Sequence, residues 1–453
     1  MKINDLRLRL LASIFGLALL LTGCVSNTQY RTSTKIGTYN DKTERSVCPT
    51  CSLEEGDGYS LGYVELDDQG WFWNHEQVSA VTNCFSQKLT GDGALILTFI
   101  HGWKHNASDG DDNVQMFHGV LRRLAAMEKV LAKRQGTPAR QVLGVYVGWR
   151  GLTHQIEPFK ELTFWGRKTA AEVVGHGAVI ELLAELERLR DISNRSYAAQ
   201  IKAGTRAQTK MVTMGHSFGA EVLYSAAAPI LIDRMVKDID DGGKQQNPKS
   251  FGDLIVLVNP AFEAARFQTI HRLSESKEFT TITNCTLAVF TSVDDFATKD
   301  IFPFGRGLNV SSAIDSYRDN HQQKANVTAL GHYQPWITHD LRLRAPAAQK
   351  QEKAAATNEV IQAEMLQKSS DRVVSLTAQL KENTTKKGSQ TIDGVYPFTH
   401  CDLVTRPTHL HNEPVFVVSV DDKIIADHNA ISSGLFIRFL GEFVTAFTSS
   451  PSN

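Results

Sequence analysis

Ser217 sits in Gly215-His216-Ser217-Phe218-Gly219, with a glycine two residues before it and two after. A serine hydroxyl is a poor nucleophile on its own. It attacks a carbonyl only with a base in hydrogen-bond reach, itself oriented by a carboxylate. The chain offers 15 histidines as candidate bases, so spacing alone cannot choose among them. The adjacent Asp294 and Asp295 are candidate acids, and His101-Gly102-Trp103 is a candidate source of a backbone donor.

The elements that would carry these residues make the choice. Met211 to Met214 is a short apolar run, and an Ala-rich, helix-forming run follows from Ala220 to about Met235. That is strand, sharp turn and helix with the serine at the apex. Backbone passes so close on both sides of such a turn that only small residues fit, and Gly215 and Gly219 meet that need.

Continuous apolar runs at Ala94–Ile100, Val142–Val147, Leu254–Val258, Leu287–Phe290 and Val415–Val420 are separated by helical patterns. Runs of this kind belong to a parallel sheet buried on both faces. The expected fold class is therefore α/β, a doubly wound and mostly parallel sheet with cap or insertion segments. In such a sheet the acid follows an earlier strand and the base follows the last one. His400, His409 and His411 precede Val415–Val420, whereas His428 follows it. The expected triad is Ser217, Asp295 and His428, with Asp294 as the alternative acid. The amides of Trp103 and Phe218 are the expected oxyanion donors. Trp149 and Arg150, just past another strand, either line the site or simply pack and solvate. The aromatic stretch from Thr153 to Lys168, with Phe159, Phe164 and Trp165, is placed over it.

These motifs together resemble the α/β-hydrolase superfamily. More narrowly, the chain is similar to bacterial hydrolases carrying His-Gly-Trp-x-His-Asn, Gly-His-Ser-x-Gly, Asp-x-Ala-Thr with Phe-Pro-x-Gly-Arg, and His-Asn-x-Ile. Here those are His101 to Asn106, Gly215 to Gly219, Asp295 to Thr298 with Phe302 to Arg306, and His428 to Ile431. The resemblance implies the fold and a serine-hydrolase mechanism; the reaction expected here is cleavage of carboxylic esters by a carboxylesterase, with neither metal nor organic cofactor. The resemblance itself implies no particular substrate, because one fold hosts many reactions. The competing reading is a non-catalytic envelope lipoprotein that keeps the fold for binding.

The N-terminus reads as a targeting segment. Lys2, Arg7 and Arg9 precede the apolar run Leu10 to Leu21, and Leu21-Thr22-Gly23-Cys24 closes it. The pattern resembles the bacterial lipoprotein lipobox, with residues 1–23 removed and the Cys24 thiol lipidated. Val25 and Ser26 are not the aspartate that resembles an inner-membrane retention signal. The expected location is therefore the cell envelope, lipid-anchored, with the outer membrane favoured. Residues 24–60 are expected to be a polar tether and 61–453 the hydrolase domain, with a polar surface insertion at about 345–390.

Composition narrows the partners. Lys and Arg number 48 against 49 Asp and Glu, so no basic excess points to nucleic acid. A small-molecule or lipid ester and the membrane remain. Asp109-Gly-Asp-Asp-Asn113 lacks the acidic twelfth residue of a calcium loop, which here is Val120, and is expected to cap a helix. Cys48 and Cys51 are expected to form a disulfide, as is the pair Cys285 and Cys401, since export favours oxidation.

Overall fold

The computed structural model describes residues 27–448 apart from 153–163, 238–249, 276–284, 307–316, 345–358, 386–393, 408 and 410–412. The signal segment, Cys24 and Phe159 lie outside the described residues. In chain order the first strands are β1 (Ser33–Asn40), β2 (Arg45–Ser46), β3 (Cys51–Glu55), β4 (Tyr59–Glu65), β5 (Ala94–Ile100), β6 (Gln141–Gly148) and β7 (Lys210–His216). They are followed by β8 (Leu254–Val258), β9 (Leu287–Ser292), β10 (His339–Leu343), β11 (Val395–Pro397), β12 (Cys401–Thr405) and β13 (Val415–Val420).

All belong to one sheet, ordered β11-β12-β10-β13-β9-β8-β7-β5-β6-β4-β3-β1-β2. From β10 across to β4 every neighbouring pair is parallel. Antiparallel pairing is confined to the margins, at β3 with β4, β1 with β2, and β12 with both β10 and β11.

Helices cover both faces. On one lie α1 (His75–Lys88), α3 (Phe164–Gly175), α4 (Val179–Ser196) and α5 (Phe218–Lys237); on the other lie α2 (Asp112–Gln135), α6 (Glu359–Thr385) and α7 (Gly434–Thr448). Strand β5 shows why its sequence is apolar at nearly every position. Ile96 and Ile100 pack with the first group, while Leu95, Leu97 and Phe99 pack with the second. A strand with two covered faces has no position to give to solvent. This is a doubly wound, mostly parallel α/β architecture.

Asp111 caps α2 by accepting from the Asn113 amide at 2.8 Å, and Gly136 ends it in the left-handed conformation with φ 64°. The acidic 109–113 stretch is thus a helix cap, as read from the sequence.

Three expectations are corrected. The stretch 24–60 is not a tether throughout, because from Ser33 it supplies β1, β2 and β3. Its polarity hid a buried polar lock. Arg31, 1% exposed, donates to Glu54 Oε1 at 2.8 Å and to the Ala107 carbonyl at 2.9 Å. Tyr63 donates to the other Glu54 oxygen at 2.7 Å, and Tyr39 stacks on His118 at 3.5 Å. The Cys48–Cys51 disulfide does form, at the turn into β3.

Second, no bridge joins Cys285 and Cys401; each remains a buried thiol. Cys401 opens β12 and Cys285 lies just before β9, with β10 and β13 between those strands. Neighbouring strands lie about 4.8 Å apart, and a disulfide needs Cα atoms within about 7 Å.

Third, the described part of the 345–390 insertion is not a loose surface excursion. Its helix α6 packs on α2 and α7 through buried Val373, Leu376 and Leu380.

Candidate active site

The chain moves from β5 outward to β6, then returns to place β7 on the other side of β5. In an open parallel sheet such a reversal opens a crevice at the carboxyl ends of the two strands. His101, Gly102 and Trp103 leave β5 there, and Ser217 leaves β7.

Ser217 has φ 56°, a conformation that costs a non-glycine residue roughly 1–3 kcal/mol. The surroundings hold it. Its amide donates to the Val258 carbonyl at 3.0 Å. A Cβ on Gly215 would lie 2.5 Å from the Gly219 carbonyl oxygen, and one on Gly219 would collide with the carbonyls of Ile100 and His101. A Cβ on Gly102 would stand 2.7 Å from Ser217 Cβ. Three glycines therefore leave room for the turn and for β5 to press against it.

His428 lies past β13 and reaches back to the serine, with Nε2 2.7 Å from Ser217 Oγ. Its Nδ1 is 2.9 Å from each oxygen of Asp295. An ionised carboxylate can only accept, so Nδ1 carries the proton and Nε2 is the acceptor facing the serine hydroxyl. Ser217 and Asp295 are buried, while the His428 side chain keeps a 13% exposed edge. The three residues chosen from the sequence meet in one chain of contacts.

Asp295 rather than Asp294 faces the imidazole. Asp294 points away, half-exposed, 3.5 Å from Lys299. Asp295 also accepts from the Thr298 amide at 3.1 Å and the Thr298 hydroxyl at 2.5 Å. Burial alone would raise the Asp295 pKa, but the His428 charge and these hydrogen bonds outweigh it and hold it below the ordinary carboxylate range. His332 Nε2 lies 2.9 Å from Thr298 Oγ1. Because the threonine proton goes to Asp295, His332 donates to the threonine oxygen.

Two further side chains fix the base by its backbone. The His428 carbonyl accepts from His216 Nε2 at 2.8 Å and from Asn259 Nδ2 at 2.9 Å. Burial, with His428 beside it, pushes the His216 pKa down to about 3, so His216 stays neutral and donates from Nε2. Asn259, with φ 45°, also accepts from the Ser292 amide at 3.0 Å, tying β9 to the same point. Neither Asn259, just past an apolar run, nor His332 stands in any motif that the sequence displays.

The expected oxyanion donors border the serine. Phe218 is the first residue of α5, and a helix leaves the amides of its first turn without intrahelical acceptors. On the other side, Lys104 with φ 74° donates its amide to the Gly151 carbonyl at 3.1 Å and pins the loop that carries Trp103. His101 braces the same loop. It donates from Nδ1 to the Gly102 carbonyl at 2.9 Å and accepts from the Trp149 amide at 3.0 Å. Trp149 is buried and stacked on His101 and so buttresses the loop, while Arg150 pairs with Asp68 at 2.8 Å.

Phe164, the first residue of α3, packs on Phe218 at 4.8 Å and on Trp103 at 5.2 Å. Lys168 of the same helix reaches Glu221 at 2.9 Å and Glu263 at 3.2 Å, tying α3 down beside the elbow.

No family model and no curated protein matches the chain. Among solved structures it is similar to a cutinase of Trichoderma reesei in complex with a phosphonate inhibitor. Identity is 13%, coverage is 41% of this chain and 67% of that chain, and the TM-score is 0.16. It is similar also to a phospholipase of Legionella pneumophila in complex with thio-NAD, at 13% identity and a TM-score of 0.18. That match covers 55% of this chain and spans less than half of the phospholipase, 46%. At TM-scores this low neither likeness bears on substrate or mechanism.

Proposed function

We propose that the protein is a lipid-anchored serine hydrolase of the bacterial cell envelope that cleaves carboxylic esters. The observation that carries the reading is the contact chain Ser217–His428–Asp295, with the serine held at positive φ on a strand-to-helix turn. His428 Nε2 takes the Ser217 proton as the hydroxyl oxygen attacks the ester carbonyl. The amides of Phe218 and Trp103 receive the oxygen that gains charge, each worth roughly 3 kcal/mol in the transition state. The imidazolium, oriented and stabilised by Asp295, then protonates the departing alcohol. Water, deprotonated by His428, attacks the acyl-serine and releases the acid. No metal or organic cofactor has a part in this scheme.

Lipid attachment at Cys24 would hold the enzyme at the membrane, the outer membrane being favoured, through more than one acyl chain. Purified protein is expected to hydrolyse p-nitrophenyl acyl esters, and Ser217→Ala is expected to lose that turnover while keeping the wild-type circular dichroism spectrum. Equal turnover by Ser217→Ala would end the proposal.

A further inference from the structure

We propose that the sheet edge carrying Ser217 rests against a lipid bilayer, so that the substrate is an acyl ester resident in that bilayer. The inference builds on the hydrolase reading and on the anchor at Cys24.

The first observation is where the chain enters the fold. The backbone amides of Tyr30 and Arg31 donate to the Glu65 carboxylate at 2.9 Å and 2.7 Å, and Arg31 is locked to Glu54. Glu65 is the last residue of β4, which belongs to the same parallel array as β5 and β7. The chain is thus fixed at the carboxyl-end edge of the sheet, the edge that holds Ser217. Five residues lie between Cys24 and Tyr30, and the six steps from one to the other, fully extended, reach only about 20 Å. A tether extending to residue 60 would let the body turn freely; one this short holds that edge toward the anchor.

The second observation is where aromatic surface is exposed. Among the described residues the exposed aromatic side chains are Trp71 (73%), Trp73 (37%), Phe296 (63%) and Phe304 (71%). All four follow carboxyl ends of parallel strands. Trp71 and Trp73 fold back beside the end of β4, with the Trp73 amide donating to the Glu65 carbonyl at 3.0 Å. Phe296 and Phe304 follow β9 on the segment that also exposes Val293 and Ile301.

In the sheet, β4 lies two strands beyond β5 on one side, and β9 two strands beyond β7 on the other. At about 4.8 Å per strand, the aromatic loops stand roughly 10 Å to either side of the crevice. Single exposed apolar residues are ordinary on a soluble surface, but aromatics confined to one edge are not. Large aromatic rings at the boundary between headgroups and acyl chains are what a bilayer surface accommodates. Entry point, short tether and aromatic flanks agree on one orientation.

The test uses full-length acylated protein in vesicles of phosphatidylethanolamine and phosphatidylglycerol with brominated acyl chains. Bromine is expected to quench tryptophan emission, and Trp71→Phe with Trp73→Phe is expected to abolish most of that quenching. A second variant, Trp71→Ser with Phe304→Ser, is expected to cleave a soluble short-chain ester within about twofold of wild type. On a vesicle-embedded ester it should lose about tenfold or more, as withdrawal of large apolar side chains from lipid implies. Wild type whose emission bromine leaves unchanged, or a variant equally active on both esters, overturns the proposal and leaves the aromatics to a protein partner. Absence of fatty acid on Cys24 by mass spectrometry overturns it through the anchor. Quenching without turnover of either ester upholds the orientation and removes the hydrolase reading alone.

Discussion

Asp295→Asn is expected to lower kcat by about four orders of magnitude while the protein folds normally. The carboxylate accepts from His428 Nδ1 on both oxygens, which fixes the tautomer that leaves Nε2 free to accept from Ser217. An asparagine of the same shape brings a donor into a pocket already supplied with donors by Thr298. The favoured arrangement then turns the amide oxygen to Thr298 and its NH2 to the imidazole. Nδ1 becomes the acceptor, the proton moves to Nε2, and the base is disabled. Asp294→Asn is expected to stay within a few-fold of wild type, since its partner is the half-exposed Lys299. Steady-state rates on a p-nitrophenyl ester, with near-ultraviolet circular dichroism as the folding control, check both variants. The reverse ranking would transfer the acid's role to Asp294.

The largest expected effect on stability falls far from the triad. Arg31→Ala is expected to destabilise the fold by about 3–5 kcal/mol, because it leaves Glu54 buried without its cation. Both side chains are fully inaccessible, and Glu54 also takes hydrogen bonds from Tyr63 and His118. Burial alone would raise the Glu54 pKa, yet the hydrogen bond from His118 and the Arg31 charge bring it down to about 2 from an ordinary 4.5. A carboxyl depressed on folding contributes stability that is complete above its unfolded pKa and lost as pH falls through its folded pKa. The Glu54 contribution should therefore be full above about pH 4.5 and vanish toward pH 2. Urea unfolding of wild type and Arg31→Ala at pH 7 measures the deficit. Arg31→Ala with Glu54→Gln should recover part of it, since the orphaned charge is removed. A deficit below about 1 kcal/mol would mean that the N-terminal strands are held by something other than this pair.

How much of this was legible in the sequence follows from what each element buries. Strands β5 to β9 and β13 are mostly apolar because both faces are covered, and that pattern is visible without a structure. Given those strands, the chain order of Ser217, Asp295 and His428 picked one histidine of 15. The marginal strands were not legible. In β10, β11 and β12 buried residues alternate with partly exposed ones over three to five residues, too short for a periodic signal. The strands from Ser33 to Glu55 were obscured for a different reason, since their burial is anchored by Arg31 and Glu54, residue types that read as surface. Helix α6 hides an i, i+3, i+7 stripe of Val373, Leu376 and Leu380 among Ala, Gln and Lys. Thr298 closes the Asp-x-Ala-Thr motif, and the part it plays in fixing the acid is visible only when its hydroxyl is seen on Asp295.

The central claim is that Ser217 is a nucleophile activated by His428. Covalent labelling with a fluorophosphonate tests it most directly, because the reagent reports on the activated hydroxyl whatever the natural substrate. Wild type should take up one equivalent of label, located on the peptide containing Ser217 by mass spectrometry, and should lose esterase activity in proportion. Ser217→Ala should take up none, and His428→Ala should label far more slowly. Folded wild-type protein that stays unlabelled at Ser217, or that labels equally well without His428, would contradict the account.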